Sequence, residues 1–377
     1  MALGSVCLLE TVDVALEPRL SAVVLAAGEG TRMRSSKPKP LHSLAGRPMV
    51  VHVLHSLSAV DLDRVVVVVG FGAHEVTKVV GDHAPEGLRV DFAQQEVQRG
   101  TGDAVLVALG VLRSDRDDQG DHIRGDDVIV APGDTPLLRP ETLRSLVGTH
   151  RRSGAAVTLL SARAVDPSGY GRVVRDEDGS VSRIVEDRDA TDEERLIDEV
   201  NTSVYVFRRS FLATAIRRLR PDNASRELYL TDVIAVAREA GLSVSCLQVP
   251  DAAEASGVND RHQLALAEAV LRRRINEVWM RRGVTMIDPA ATYVDCTVEL
   301  APDVVLYPGT VLEGSTVIEA SAVVGPGTHL VDCLVGVGAR VEATYGRAAS
   351  VGAGATVGPW VSLGPGEAVP AAVQRPV

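Results

Sequence analysis

Residues 21–42 read SAVVLAAGEGTRMRSSKPKPLH, an apolar run that stops at a small-residue loop and continues into basic residues. The opening run is short and Val-rich, the pattern of a strand buried on both faces. The loop places Gly28 and Gly30 beyond the strand's carboxyl end, where α/β sheets bind ligands. Glycine removes side-chain bulk and permits unusual torsions, so main-chain N–H groups can approach phosphate oxygens. Arg32 and Lys39 add positive charge close by. Met33 stands where a G-x-G-x-x-G fingerprint needs its third glycine, and no G-K-S/T follows, so this is neither a dinucleotide-binding turn nor a P-loop. A plain strand-to-helix turn with solvated Arg and Lys side chains also fits these residues.

Outward from this segment, short apolar runs alternate with amphipathic stretches as far as about Pro250. PMVVHVLHSL, RVVVVVG and GAHEVTKVV come first, then RVDFAQ, DVIVAPGD, AAVTLLSA, GRVVRD, SRIVED, SVYVF and SVSCLQV as further strands. The alternation predicts an α/β domain over 21–258, a parallel sheet with helical crossovers covering both faces. The polar stretch DRDDQGDHIRGDD, 115–127, reads as a surface loop, and residues 1–20 as an N-terminal extension.

Residues 259–282 carry Leu264, Ala267, Leu271, Ile275, Val278 and Trp279 at spacings of three and four, which makes one helical stripe. We read 259–283 as a helix joining two domains; an ordinary surface helix of the first domain has the same pattern. After Gly283 the texture changes. Val294, Leu300, Leu306, Leu312, Ile318, Val324 and Leu330 recur every sixth position, the register slips between Cys333 and Tyr345, and it resumes at Val351, Val357, Leu363 and Val369. Hexad periodicity predicts a parallel β-helix over 284–377, with each apolar residue pointing into a prism-shaped core. An open end of such a stack needs a cap, so AVPAAVQRPV is expected to form an irregular lid or to fray.

The 377 residues are 45% hydrophobic, 24% charged and 3% aromatic, the composition of a soluble globular protein of two or three domains with an aliphatic core. A formal charge of -11 argues against a sequence-independent grip on nucleic acid, which needs a basic surface to release counterions. It does not exclude a polyphosphate ligand, because local cations and main-chain N–H groups suffice for one. Cys7, Cys246, Cys296 and Cys333 are scattered without a C-x-x-C pair, so neither a zinc site nor a disulfide framework is indicated and a reducing cytoplasm fits. Residues 1–18 lack a basic start and an apolar run, so they are no secretory signal. No membrane span is expected, since no apolar stretch approaches ~20 residues.

LAAGEGTRM with SKPKPLH resembles the nucleotide-binding signature of sugar-1-phosphate nucleotidyltransferases. QQEVQRGTGDAV, APGDTPLL, GYGRVV, IVEDRDAT, EVNTSVYVF, ELYLTDVI and GVNDR then occur in the order seen in the bifunctional N-acetylglucosamine-1-phosphate uridyltransferase and glucosamine-1-phosphate acetyltransferase family. The resemblance covers about Ala22 to about Gly366 and implies a Rossmann-like nucleotidyltransferase domain followed by a short left-handed parallel β-helix. It implies that Leu25, Ala26, Ala27, Gly28, Gly30 and Thr31 line the nucleoside and phosphates, and that Gln95, Gly100 and Thr101 read uracil. Asp134 and Asn259 match the family's Mg²⁺ ligands, a set suited to a hard cation that takes oxygen donors and keeps several waters. On its own, Asp134 reads as a helix N-cap ahead of PLLRPETL. Gly171, Glu186 and Asn201 match positions that hold the amino sugar, with Tyr229 and Thr231 supporting; a lone Glu such as Glu186 otherwise reads as a solvated strand end.

The implied reaction is attack of a sugar 1-phosphate oxygen on the α-phosphorus of UTP, releasing pyrophosphate, with Arg32 and Lys39 as the catalytic cations. A homotrimer through the β-helix is also implied. Three positions depart from the family pattern: Pro132 before Gly133-Asp134, Asp103 where His is typical, and Pro40 where Val is usual. Leu363 stands in place of an Arg, and the later coils that carry the acetyltransferase site are not reached, so no acetyltransferase activity is expected. The rival readings are a non-catalytic nucleotide-sugar sensor or assembly protein, and a nucleotidyltransferase that takes dTTP or another sugar 1-phosphate.

Overall fold

The computed structural model describes residues 19–112 and 126–375. The readings of residues 1–18 and of most of the polar 115–127 stretch lie outside the described residues.

Strand β1 (Leu20–Ala26) runs into the glycine loop, and a small hairpin of β2 (Ser43–Leu44) and β3 (Arg47–Pro48) leads to α1 (Met49–Ser58). The next elements are β4 (Arg64–Val69), α2 (Ala73–His83), β5 (Val90–Gln94), α3 (Thr101–Leu112), β6 (Asp127–Pro132), α4 (Pro140–Ser153) and β7 (Val157–Arg163). The chain continues through β8 (Arg172–Arg175), β9 (Val181–Val185), the one-turn α5 (Asp192–Arg195), β10 (Glu199–Arg208), α6 (Arg209–Ala215), α7 (Val233–Glu239), β11 (Val244–Val249) and α8 (Arg261–Arg281).

The main path of the large sheet is β11-β7-β10-β6-β1-β4-β5, and β8 and β9 extend it beside β10. Period-two alternation sends Ala22, Val24 and Ala26 of β1 into one apolar cluster and Val23, with Ala27 just beyond, into the other. Both faces are therefore dry, which explains the unbroken valines of β4. The expectation of a parallel sheet needs correction. Strands β1, β4, β5 and β6 are parallel, as are β7 and β11, but β10 lies antiparallel to both β6 and β7. The chain reaches β10 from the antiparallel hairpin β8–β9 rather than through a helical crossover, so its direction reverses.

After Gly283 come three parallel sheets of six, five and five short strands, from β12 (Thr285–Met286) to β27 (Gln374–Arg375). This is the β-helix. Val294, Leu312, Leu330 and Leu363 point inward from one sheet, Leu300, Ile318, Val335, Val351 and Val369 from the second, and Leu306, Val324, Val341 and Val357 from the third. The register slip has a structural form: Gly346 takes an inward position beside Leu330. A Cβ there would stand 2.9 Å from Leu330 Cδ2 and 3.3 Å from Cys333 Sγ, so the buried cysteine fills the space that a branched residue fills elsewhere. The expected irregular lid is also corrected. Ala368–Val369 and Gln374–Arg375 continue the ladders, pairing with Ser350–Val351 and Thr356–Val357.

Helix α8 spans the two parts. Leu264, Ala267 and Leu271 pack with Leu44, Met49 and Leu137, while Ile275, Trp279 and Met280 lie against the coil. Val278, counted in the stripe from sequence, is 46% exposed. It lies one residue, about 100° of helix, from Trp279, and only one of the two can face the coil. Asn276 takes the inward place instead: its Nδ2 donates to the carbonyls of Pro289 and Thr292 at 2.9 Å each. Among the described residues no helix is long and apolar enough to cross a membrane.

Candidate active site

A cleft of about 470 Å³ opens at the carboxyl ends of β1, β5 and β6. One wall is built from β1 itself. Leu25, Ala26, Ala27 and Gly28 line it, and a Cβ on Gly28 would meet nothing within 4 Å, so that residue leaves the cleft floor clear. Gly30 serves differently. Its φ of 63° is left-handed, and a Cβ there would strike Lys39 Cβ at 2.5 Å. Gly30 thus turns the chain and lets the Lys39 stem pass; neither it nor Thr31 lines the cleft.

Lys39 reaches the middle of the cleft. Its Nζ donates to Asp134 Oδ2 in a very short ion pair and to Asn259 Oδ1 at 2.7 Å, and Arg32 Nη2 donates to the same Asn259 oxygen at 2.9 Å. Three segments distant in sequence meet here. Asp134 follows β6, and Gly133 N–H donates to the Leu25 carbonyl at 2.9 Å, which ties the two strand ends together. Asp134 is not the N-cap of α4; Arg139 holds that place. Asn259 stands at the start of α8, where its N–H donates to Gln263 Oε1 at 2.7 Å and Asp260 caps the helix.

On the α3 side, Gln95, Gly100 and Thr101 line the cleft. Thr101 Oγ1 accepts from the Leu230 N–H at 3.0 Å, and Leu228 N–H donates to the Arg99 carbonyl at 2.7 Å, so the 99–101 and 228–230 segments are stitched together. Gly100, at φ 105°, sits so close to Leu228 that a Cβ would lie 2.7 Å from its carbonyl oxygen. Gln95 Nε2 donates to Asp103 Oδ2 at 2.8 Å.

The far side is formed by Gly171, Glu186 and Asn201, all in the lining. Burial pushes the Glu186 carboxyl above the usual carboxylate range, partly offset by Thr231 Oγ1, which donates to Glu186 Oε1 at 3.0 Å. Asn201 N–H donates to the Gly171 carbonyl at 2.8 Å, and its Nδ2 donates to the Tyr205 hydroxyl at 2.7 Å. Burial, reinforced by the Glu186 charge, holds that hydroxyl protonated. Thr231 acts behind Glu186 and Tyr229 lies outside the lining, so neither is part of the cleft wall.

Sequence reading missed several wall residues. Gln98 donates through Nε2 to the Ala27 carbonyl at 2.9 Å, and its place as the third glutamine of QQEVQRG was its signal. Tyr170, Thr202, Ser203 and Glu227 also line the cleft, each beside a residue that was found or stitched to one. Arg172 is fully buried and binds the Tyr170 carbonyl and Asp187 Oδ1, the latter at 2.9 Å, which holds the 167–171 loop in place. Pro132 and Pro40 both line the cleft, so two of the three family departures fall on its wall and the third, Asp103, stands directly behind Gln95.

A doubly covered sheet whose strand ends frame a cleft with a lysine and an arginine at its centre has the chemistry to receive a phosphorylated ligand. The MobA-like NTP transferase domain family matches residues 22–236. The bifunctional protein GlmU of Thermobifida fusca is 47% identical over 332 residues, 88% of this chain and 67% of that protein. GlmU of Mycolicibacterium gilvum is 46% identical over 93% of this chain and 69% of its own, and that of Mycobacterium tuberculosis 46% over 93% and 70%. The chain belongs to the GlmU family, and it is a sugar-1-phosphate nucleotidyltransferase.

Proposed function

We propose that this enzyme joins UTP to N-acetylglucosamine 1-phosphate, or a closely related amino-sugar 1-phosphate, and releases pyrophosphate. The observation that carries this reading is the meeting of Lys39, Asp134, Asn259 and Arg32 at the centre of a cleft with Gln95 and Gly100 on one side and Glu186 and Asn201 on the other. The sugar phosphate oxygen forms a bond to the α-phosphorus as the bond from that phosphorus to the bridging oxygen of pyrophosphate breaks. The nucleophile is already ionised, so no general base is needed. The obstacle is repulsion between two anions, which Lys39 and Arg32 reduce by holding fixed positive charge beside both phosphates.

The pair Asp134 and Asn259 fits Mg²⁺. Two hard oxygens already face one point occupied by a cation, the Lys39 ammonium, and this donor set leaves room for water and phosphate oxygens. When bound, Mg²⁺ supplies further positive charge against the triphosphate. Glu186 and Asn201 would accept from and donate to the sugar hydroxyls and acetamido group, with Gly171 giving the ring close approach. Tyr229 and Thr231 would support them from behind.

Pyrophosphate release measured across UTP, CTP, dTTP, ATP and GTP with a panel of sugar 1-phosphates tests this. UTP with N-acetylglucosamine 1-phosphate should give the highest kcat/KM; release with no pair would sink the reading in favour of a sensor. Acetyl transfer is not part of this proposal. Exposed Tyr293, Tyr345 and Trp360 on the coil support association between copies, and the resemblance supplies the number three, which light scattering of the intact chain would check.

A further inference from the structure

Gln95 is a nearly buried amide, 5% exposed, and its orientation is not free. One end of the amide faces two acceptors, Asp103 Oδ2 at 2.8 Å and the Gly100 carbonyl at 3.2 Å. Neither has a proton to give, so only the amide nitrogen can occupy that end, whichever way the group is first drawn. Helix α3 sets the position of both acceptors: Asp103 lies in its first turn, and the Gly100 carbonyl also accepts from the Ala104 N–H at 3.2 Å. Gln95 Oε1 is left without a donor among the described residues. The Gly100 N–H likewise has no acceptor among them. Both residues line the cleft, so its wall offers one fixed acceptor and one fixed donor.

We infer that Asp103 is a positioning residue for base selection: by accepting from Gln95 it turns the Gln95 carbonyl toward the nucleotide, so the site takes a pyrimidine whose N3 carries a proton. The inference rests on the reading of Gln95 and Gly100 as the base-contacting residues. Uracil presents an N3–H donor beside the O4 acceptor, the complement of this wall. Cytosine presents an N3 acceptor beside an N4 amino donor and would set acceptor against acceptor and donor against donor. A site built around such a pair rejects the mismatched partner strongly, because its own polar groups are left unpaired. Guanine's N1–H and O6 offer the same pair as uracil, so the comparison that isolates Asp103 is UTP against CTP, which share one ring size. Removing the carboxylate leaves the amide held by the Gly100 carbonyl alone. It can then turn over at the cost of that one longer bond and donate to cytosine N3, while the Gly100 N–H still opposes the N4 amino group, so the preference narrows without reversing.

The test is kcat/KM for UTP and for CTP, with calorimetric binding of each nucleotide in the absence of sugar phosphate, in the native chain, Asp103→Ala and Asp103→Asn. The alanine variant should lose about tenfold of the UTP-over-CTP preference in both measurements. The asparagine variant, whose Oδ1 can still accept from Gln95, should stay within about twofold of native. An alanine variant that slows or weakens both nucleotides equally would overturn the inference and leave Asp103 a helix-stabilising residue, as would an asparagine variant that loses as much preference as alanine. Melting temperatures of the variants report whether α3 is intact. A native chain that turns over neither nucleotide with any sugar 1-phosphate would instead sink the assignment of the site itself.

Discussion

Lys39 touches residues 95 and 220 positions away, and its ammonium meets both Asp134 and Asn259. Replacing it by alanine removes the positive charge that we propose screens the phosphates and leaves Asp134 without its counter-ion in a partly buried place. Lys39→Ala and Asp134→Ala should each lower kcat by about 10²–10⁴-fold, with far-UV circular dichroism unchanged; near-native turnover in either would refute their roles. Glu186 supports a finer prediction. Its carboxyl is raised by burial and drawn back down by the Thr231 hydroxyl, so Thr231→Val removes the opposing influence and the carboxyl should titrate still higher. The acid limb of kcat/KM for the sugar phosphate should move to higher pH than in the native enzyme. The phosphate's own titration is common to both profiles and cancels. An unmoved limb would mean that Glu186 is not needed as a carboxylate.

At the scale of elements, the coil shows why a simple repeat can be read and its interruptions cannot. Each inward residue from Val294 to Leu330 follows its predecessor by one fixed step, so six-residue counting finds them all. Beyond Leu330 the inward places are Val335, Val341, Gly346 and Val351, and steps of five enter the count. A glycine carries no hydrophobic signal, and only the neighbouring Cys333 sulfur and Leu330 explain it. Gly346→Val would push a branched side chain into that contact and should destabilise the coil by about 1–3 kcal/mol, read as a lower denaturation midpoint. A stability equal to native would show that the coil has room there. The reversed β10 has a similar cause. Its residues read as a strand, but direction depends on the hairpin that feeds it, and no local pattern records that.

Across the whole molecule, the nucleotidyltransferase part and the coil are joined at a small polar junction. The turn between β2 and β3 docks on the first coil: Cys296 N–H donates to the Ala45 carbonyl at 3.0 Å, and Ala45 N–H donates to Glu268 of α8 at 2.8 Å. Asp295 is packed against Gly46, and its carboxyl is pushed up to about 6, by burial above all and then by Glu313 and Glu268, against the opposing bond from the Gly314 N–H. A carboxyl whose folded pKa exceeds its unfolded value favours folding while protonated, and that contribution is lost as pH rises from about 4 through about 6. Asp295→Asn keeps an acceptor for Gly314 and removes the charge. It should be more stable than native at pH 7.5 by about 1 kcal/mol, allowing for solvent screening at a half-buried group, and the difference should vanish below about pH 4. Thermal melts across this range check it, and a variant less stable than native at pH 7.5 would contradict the assignment.

The sequence by itself determined the parts whose cause is local. The valine runs are buried on both faces, the hexads point inward, and the small residues after β1 leave a strand end open. The order of motifs, LAAGEGTRM to GVNDR, also carried the family, which the relatives bear out. Tertiary structure decided what depends on atoms far apart in the chain. Gly30 is there to let Lys39 pass, Thr231 reaches the cleft only through Glu186, Asn276 replaces Val278 at the domain junction, and Asp103 accepts from the Gln95 amide beside the cleft. A hydrogen-bond direction depends on which donor and acceptor meet in space, and periodicity along one chain holds no record of that meeting.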